Sequence, residues 1–238
     1  MSACRAVMNI AHRGASAYAP ENTRASFHLG LRLGADGLET DLRFTRDGEV
    51  VLLHDERVDR TTDGHGPVAE LSLAEVRALD AGSWFSPEFA GERILTLAEF
   101  LDEFGGRTHL ALELKVDGLE PAVVAQIRER SLLETATATS FERERLLRLL
   151  ALAPEVRTGY LTRTFTPGEL TALAAEGIRQ ACPRASGVTA EVVREAHRLG
   201  LEVRAWGVKS ERDMWQALEA GVDGMTINWP DWLRMARR

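Results

Sequence analysis

Leu38-Glu39-Thr40-Asp41-Leu42, set between Gly37 and the turn Thr45-Arg46-Asp47-Gly48, is the stretch on which the fold turns. Its alternation has a period of two and predicts a β-strand whose successive side chains point to opposite faces. Glu39 and Asp41 then share one face, with Leu38, Thr40 and Leu42 on the other. Two carboxylates so close repel by about 4 kcal/mol at about 4 Å in an effective dielectric of about 20. A divalent cation, a lysine or an arginine must offset that, unless the strand is a solvent-facing edge.

The neighbouring runs decide between these. Asn9-Ile10-Ala11 leads into His12-Arg13-Gly14, and Val50-Val51-Leu52-Leu53 leads into His54-Asp55. Leu110-Ala111-Leu112-Glu113-Leu114-Lys115 is a further short strand with Glu113 and Lys115 on one face. Four apolar runs thus deliver charged or imidazole groups at or near their C-terminal ends, the edge at which a parallel α/β sheet builds its active site.

The chain has 238 residues, 45% hydrophobic and 27% charged, the composition of a globular protein with a large core. Its formal net charge is −7, from 29 basic and 36 acidic residues, which argues against a nucleic-acid partner. Cys4 and Cys182 are read as two reduced thiols, not a disulfide or a zinc site. The segment from Met1 to Met8 lacks the long apolar run of a leader, and no apolar stretch predicts stable membrane insertion. A cytoplasmic location is expected.

Strands are predicted at 7–12, 37–44, 109–114, 135–140, 156–161, 178–182, 202–208 and 224–227. Helices between them carry capping signals: Asn22 or Thr23 before a helix buried through Ala25, Phe27, Leu29 and Leu31, Pro121 and Pro167 in first turns, and Gly177, Gly200 and Gly221 after last turns. The pattern breaks between about 45 and 96, where Val50–Leu53 pairs back onto 37–44 and Ser72 caps a short helix. Some fifty residues exceed one βα connection, which predicts an inserted subdomain over the C-terminal edge of the sheet. The expectation is a single domain over residues 1–238, an eight-stranded (β/α)8 TIM barrel with a small insertion after its second strand.

His12-Arg13-Gly14, Pro20-Glu21-Asn22-Thr23, Glu39-Thr40-Asp41, His54-Asp55, Arg60-Thr61-Thr62 and Glu113-Leu114-Lys115, in this order, resemble the glycerophosphodiester phosphodiesterase family. The resemblance runs on to Gly221-Val222-Asp223-Gly224. It implies a TIM barrel with that insertion, and hydrolysis of a small-molecule glycerophosphodiester to glycerol 3-phosphate and an alcohol with a divalent metal. The chain departs from the family at Trp206-Gly207-Val208-Lys209, where Trp-Thr-Val-Asn is usual, and at Ile227-Asn228, where Thr-Asp is usual. Both departures are assigned to the leaving-group side.

Glu39, Asp41 and Glu113 are hard oxygen donors suited to one Mg²⁺ or Ca²⁺. Arg13 and Lys115 would join the cation in stabilising charge on the phosphoryl oxygens. His12 and His54 suit a general acid and general base pair. The resemblance implies the same roles for these seven residues, with Trp206 an apolar wall for glycerol. His28, His109 and His197, without acidic neighbours, are read as structural; His65 is left out of the site, and Trp84 and Phe85 are assigned to packing of the insertion. Two other functions stand beside this one: a phospholipase-D-like enzyme cleaving lysophospholipids on the same barrel, and a catalytically inactive scaffold barrel. The first would favour a disulfide-bearing secreted chain; the second would have lost a histidine or an acid.

Overall fold

A computed structural model describes residues 7–236. Cys4 and most of the segment from Met1 to Met8 lie outside them. The elements are β1 (Met8–His12), α1 (Arg24–Arg32), β2 (Gly37–Phe44), β3 (Val50–Leu52), α2 (Leu73–Ala78), α3 (Leu97–Phe104), β4 (His109–Leu114), α4 (Glu120–Glu129), β5 (Ala136–Ser140), α5 (Arg143–Leu152), β6 (Arg157–Thr162), α6 (Pro167–Ala175), β7 (Gln180–Pro183), α7 (Ala190–Arg198), β8 (Glu202–Val208), α8 (Glu211–Ala220), β9 (Gly224–Ile227) and α9 (Pro230–Ala236). Eight parallel strands run in the order β1-β9-β8-β7-β6-β5-β4-β2, and β2 pairs with β1 to close the barrel. The expected TIM barrel is therefore present. No helix of the described residues is long and apolar enough to cross a membrane.

Register builds the site. Cα pairing sets His12 beside Glu39 and Asp41 beside Glu113, so groups distant in sequence reach the mouth at one level. Apolar alternates such as Leu38, Leu42, Leu110 and Leu112 are fully buried against the helices. The helices begin where side chains accept the free N–H groups of the first turn: Thr96 and Thr166 form capping boxes with Glu99 and Glu169, as Ser72 does with Glu75.

Helix α1 corrects the predicted face. Ser26, Phe27 and Gly30 are its buried residues, while Ala25, Leu29 and Leu31 are only half-buried. Small residues are needed there because a Cβ at Gly30 would stand 2.9 Å from that of Ala11. The helix comes too close to β1 for a row of leucines.

Between residues 45 and 96, β3 runs antiparallel to β2. Val50 and Leu52 pack with the barrel core, while Val51 faces a separate cluster with Leu53, Val58, Val68, Val76, Ala81 and Ile94. Phe85 meets Trp84 and Phe89 edge to face. His28 and His197 do have acidic partners, Glu103 at 2.6 Å and Asp223 at 2.8 Å, contrary to expectation; the pairs are made across the fold and are surface clasps.

Candidate active site

A cavity of about 240 Å³ opens at the C-terminal ends of the strands. Its lining includes His12, Arg13, Glu39, His54, Glu113, Lys115 and Trp206, seven of the eight residues singled out above. Asp41, fully buried, lies just behind them. Oxygens of Glu39, Asp41 and Glu113 come within 4.8 Å of one another.

Arginine and lysine hold these acids in place. Arg13 Nε is 3.1 Å from Asp41 Oδ2, and Lys115 Nζ is 3.2 Å from Asp41 Oδ1 and 2.7 Å from Glu113 Oε1. Burial pushes the Asp41 carboxyl up, but Arg13 and then Lys115 outweigh it and leave it below the ordinary range. Burial, then the charges of Asp41 and Glu113, raise Glu39 instead. Glu113 is raised by its burial and by Asp41. The basic groups nearby do not make three ionised carboxylates comfortable.

The donor set fits a hard dication. Asp41 Oδ1 is buried and accepts no hydrogen bond, although Lys115 lies at ion-pair distance from it. All three donors are carboxylate oxygens, the preference of Mg²⁺ and Ca²⁺.

Both imidazoles are oriented through Nδ1. Asn228 Oδ1 lies 2.6 Å from His12 Nδ1, and Asp55 Oδ1 lies 2.6 Å from His54 Nδ1. Each partner oxygen accepts, so Nδ1 carries the proton in both rings and Nε2 is left with its lone pair. His12 Nε2 stands 3.9 Å from Glu39 Oε2. Burial, then the adjacent Arg13, lowers the His12 pKa. Burial also lowers that of His54, with Arg13 and Lys115 acting in the same sense.

Several members of the site were not picked from the sequence. Asp55 also accepts from Arg60 Nε at 2.6 Å, and Arg60 grips both oxygens of Glu21 at 2.9 and 2.8 Å. Glu21 in turn accepts from Arg13 at 2.9 Å. This chain of charges ties the 45–96 segment to the first βα loop. Asn22 does not cap α1; Thr23 does, and Asn22 Nδ2 donates to Asp41 Oδ2 at 3.0 Å. To do so Asn22 takes φ 58°, and Arg13 takes φ 56°, both in the left-handed region where non-glycine residues are strained.

Asn228 sits against His12, because β9 lies next to β1 in the closed barrel. Arg204, also missed, is 2% exposed and lines the cavity, bonded to the neutral groups Gln180, Thr226 and Cys182. Its period-two relation to Trp206 was the available signal. His65 is exposed, 3.5 Å from Asp59, and lies outside the cavity lining.

Comparison with known proteins agrees with this geometry. A model of the "Glycerophosphoryl diester phosphodiesterase family" matches residues 12–232. A glycerophosphodiester phosphodiesterase of Caldanaerobacter subterraneus subsp. tengcongensis is 37% identical over 232 residues, covering 94% of this chain and 95% of the relative. One from Bacillus subtilis is 34% identical over 247 residues, covering 94% of this chain and 84% of the relative. Among solved structures, an Oleispira antarctica phosphodiesterase in complex with the product sn-glycerol-3-phosphate superposes with a TM-score of 0.88 at 32% identity, covering 96% of each chain.

Proposed function

The chain belongs to the glycerophosphoryl diester phosphodiesterase family, and on that premise we propose that it hydrolyses glycerophosphodiesters to glycerol 3-phosphate and an alcohol with one bound dication and two histidines. The observation that carries this reading is the convergence of the Glu39, Asp41 and Glu113 oxygens with His12 and His54 on one mouth.

Glu39, Asp41 and Glu113 would hold the cation, Mg²⁺ or Ca²⁺. When bound, it supplies positive charge against the phosphoryl oxygens and lowers the pKa of a coordinated hydroxyl. Arg13 and Lys115 bring further positive charge to the diester, while Trp206 walls the glycerol. We read residues 45–96 as an inserted subdomain whose service to the site is His54 with its support, Asp55 and Arg60.

Among the described residues no serine, cysteine or threonine is paired with either imidazole, so a protein nucleophile is not invoked. The glycerol 2-hydroxyl is instead the attacking group. One histidine takes its proton at the free Nε2, while the other enters the step as the imidazolium, protonated at Nε2 as well, and gives that proton to the departing alkoxide. The P–O bond to the alcohol breaks as the bond to the 2-oxygen forms, leaving a five-membered cyclic phosphate. Water then opens the ring with the proton roles reversed. Holding the nucleophile on the substrate is worth up to about 7–11 kcal/mol of barrier.

The test measures glycerol 3-phosphate release from a panel of glycerophosphodiesters with chelator, then with Mg²⁺ or Ca²⁺ restored. Chelation is expected to abolish turnover and either ion to restore it; full activity with chelator removes the cation from the reading. A 2-deoxyglycerol analogue should bind and turn over far more slowly. Equal kcat for the two would mean direct attack by water.

A further inference from the structure

The β8 side of the cavity carries Lys209, which the chemistry above does not use, and Arg184 stands just outside the lining. Lys209 follows β8, is exposed, and lines the cavity. Arg184 follows β7 and bridges to Trp206, with its guanidinium carbon 6.0 Å from the centre of the indole. Its Nε is buried without a hydrogen-bond partner. Neither cation has a carboxylate at ion-pair distance among the described residues. Asp213 is the nearest candidate for Lys209, but it accepts the Lys209 backbone N–H at 3.0 Å within the start of α8.

Glycine at 207 makes this arrangement possible. Its φ of +68° lies in the left-handed region, and Arg184 Cγ packs 3.6 Å from where a Cβ would stand. Trp206 meets Phe141 edge to face at 5.0 Å, and both line the cavity. An aromatic pair of this kind attracts a quaternary ammonium. Here Arg184 already stands over the indole and Lys209 lines the same cavity, so a positively charged alcohol would meet like charge.

We propose that Lys209 at the mouth, with Arg184 adding positive charge from outside the lining, receives the leaving alcohol and selects diesters whose alcohol bears an anionic group. This rests on the phosphodiesterase reading of the site. The diester phosphate is served by Arg13, Lys115 and the acidic triad on the opposite side. The glycerol is neutral, so the lip cations are left to the alcohol. Neither has a carboxylate partner among the described residues, so an incoming carboxylate breaks no ion pair there to reach Lys209.

Glycerophosphoserine and glycerophosphoethanolamine differ by one carboxylate on the alcohol and form the probe pair. With the Mg²⁺-loaded protein at low salt, kcat/KM for the serine ester should exceed that for the ethanolamine ester by about two- to fivefold, the scale of one exposed ion pair. About 0.5 M salt should shrink the ratio, since the Debye length falls below the reach of exposed charges. K209E, on an exposed side chain, should invert the preference, and R184Q should reduce it. A wild-type ratio at or below one overturns the proposal, as does a ratio that K209E leaves unchanged. Absence of glycerol 3-phosphate from both esters overturns the phosphodiesterase reading itself, and the selectivity with it.

Discussion

Arg13, Lys115 and Arg60, on the β1–β4 side of the site, are each committed to carboxylates, whereas Arg204 and Lys209, on the β5–β9 half of the mouth, and Arg184 just outside it have no carboxylate partner among the described residues. The core beneath divides similarly, one buried cluster running from Ala11 to Val156 and a second from Leu146 to Leu233. Paired charges held by strand register and by left-handed backbone at Arg13 and Asn22 make a rigid half, suited to chemistry that tolerates little displacement. The other half offers aromatic walls, threonines and uncommitted cations, suited to choosing among ligands. Arg204 belongs to both: its buried charge opposes, without overcoming, the burial and neighbouring carboxylates that raise Glu39 across the barrel.

The sharpest way to break that division is to remove an imidazole. His12→Ala and His54→Ala should each lower kcat by on the order of 10²–10⁴ while the barrel stays folded, as judged by circular dichroism. Turnover at the wild-type rate in His54→Ala would make His54 a support for Asp55 and not the reverse.

Next in size is Glu39→Gln. Dication affinity, measured by calorimetry, should weaken on the order of 10²-fold, since even outer-shell partners of a metal are worth ten- to a hundredfold. Burial, with Asp41 and Glu113 beside it, pushes Glu39 from 4.5 up to about 8. A carboxyl whose folded pKa lies above its unfolded value contributes stability that is complete below about 4.5 and is lost as pH rises through about 8. The chelated wild type should therefore lose thermal stability across that window, and Glu39→Gln should flatten the loss. Unaltered Mg²⁺ and Ca²⁺ affinity in the variant would take Glu39 out of the ligand set.

The rigid half was also the legible half. Alternation through Leu38–Leu42 and Leu110–Lys115 announces strand and acid face together, because a buried strand can carry clustered carboxylates only where positive charge meets them. The eight-strand count followed from caps and glycines that act locally. Less was readable where distance along the chain hides a pairing: Arg60 reaches Glu21 across 39 positions, and Asn228 reaches His12 across 216. The burial of Ser26 and Gly30 was hidden for another reason. Close helix approach selects small residues there, and hydrophobicity carries no record of it. Arg204 lay in a strand already read as core.

Smaller effects are expected on the second half. Trp206→Ala removes the wall proposed for glycerol, and loss of contact with one or two methylenes, about 0.8 kcal/mol each, should raise KM about four- to fifteenfold with kcat retained. A fall in kcat of several orders instead would show that the wall positions the reacting groups, and the two halves would merge.

The smallest expected effect is at Gly207. A side chain there must adopt φ +68°, at a cost of about 1–2 kcal/mol. Space is not the obstacle: the nearest atom to a Cβ is Arg184 Cγ at 3.6 Å, an ordinary contact. The strain is local, because the β8–β9 register already shifts between Ala205 and Val208, and no catalytic side chain hangs from that irregular stretch. Gly207→Ala should therefore lower Tm by about 2–4 °C for each kcal/mol lost. It should leave kcat on glycerophosphoethanolamine within about twofold, since only interactions that strengthen in the transition state alter kcat. If relaxation instead carried Trp206 and Lys209 out of the mouth, the serine-to-ethanolamine ratio would move while Tm stayed put. If kcat collapsed, the conformation of this one glycine would be holding the acidic half in place, and the separation of chemistry from selection would fail at the residue where it costs least to test.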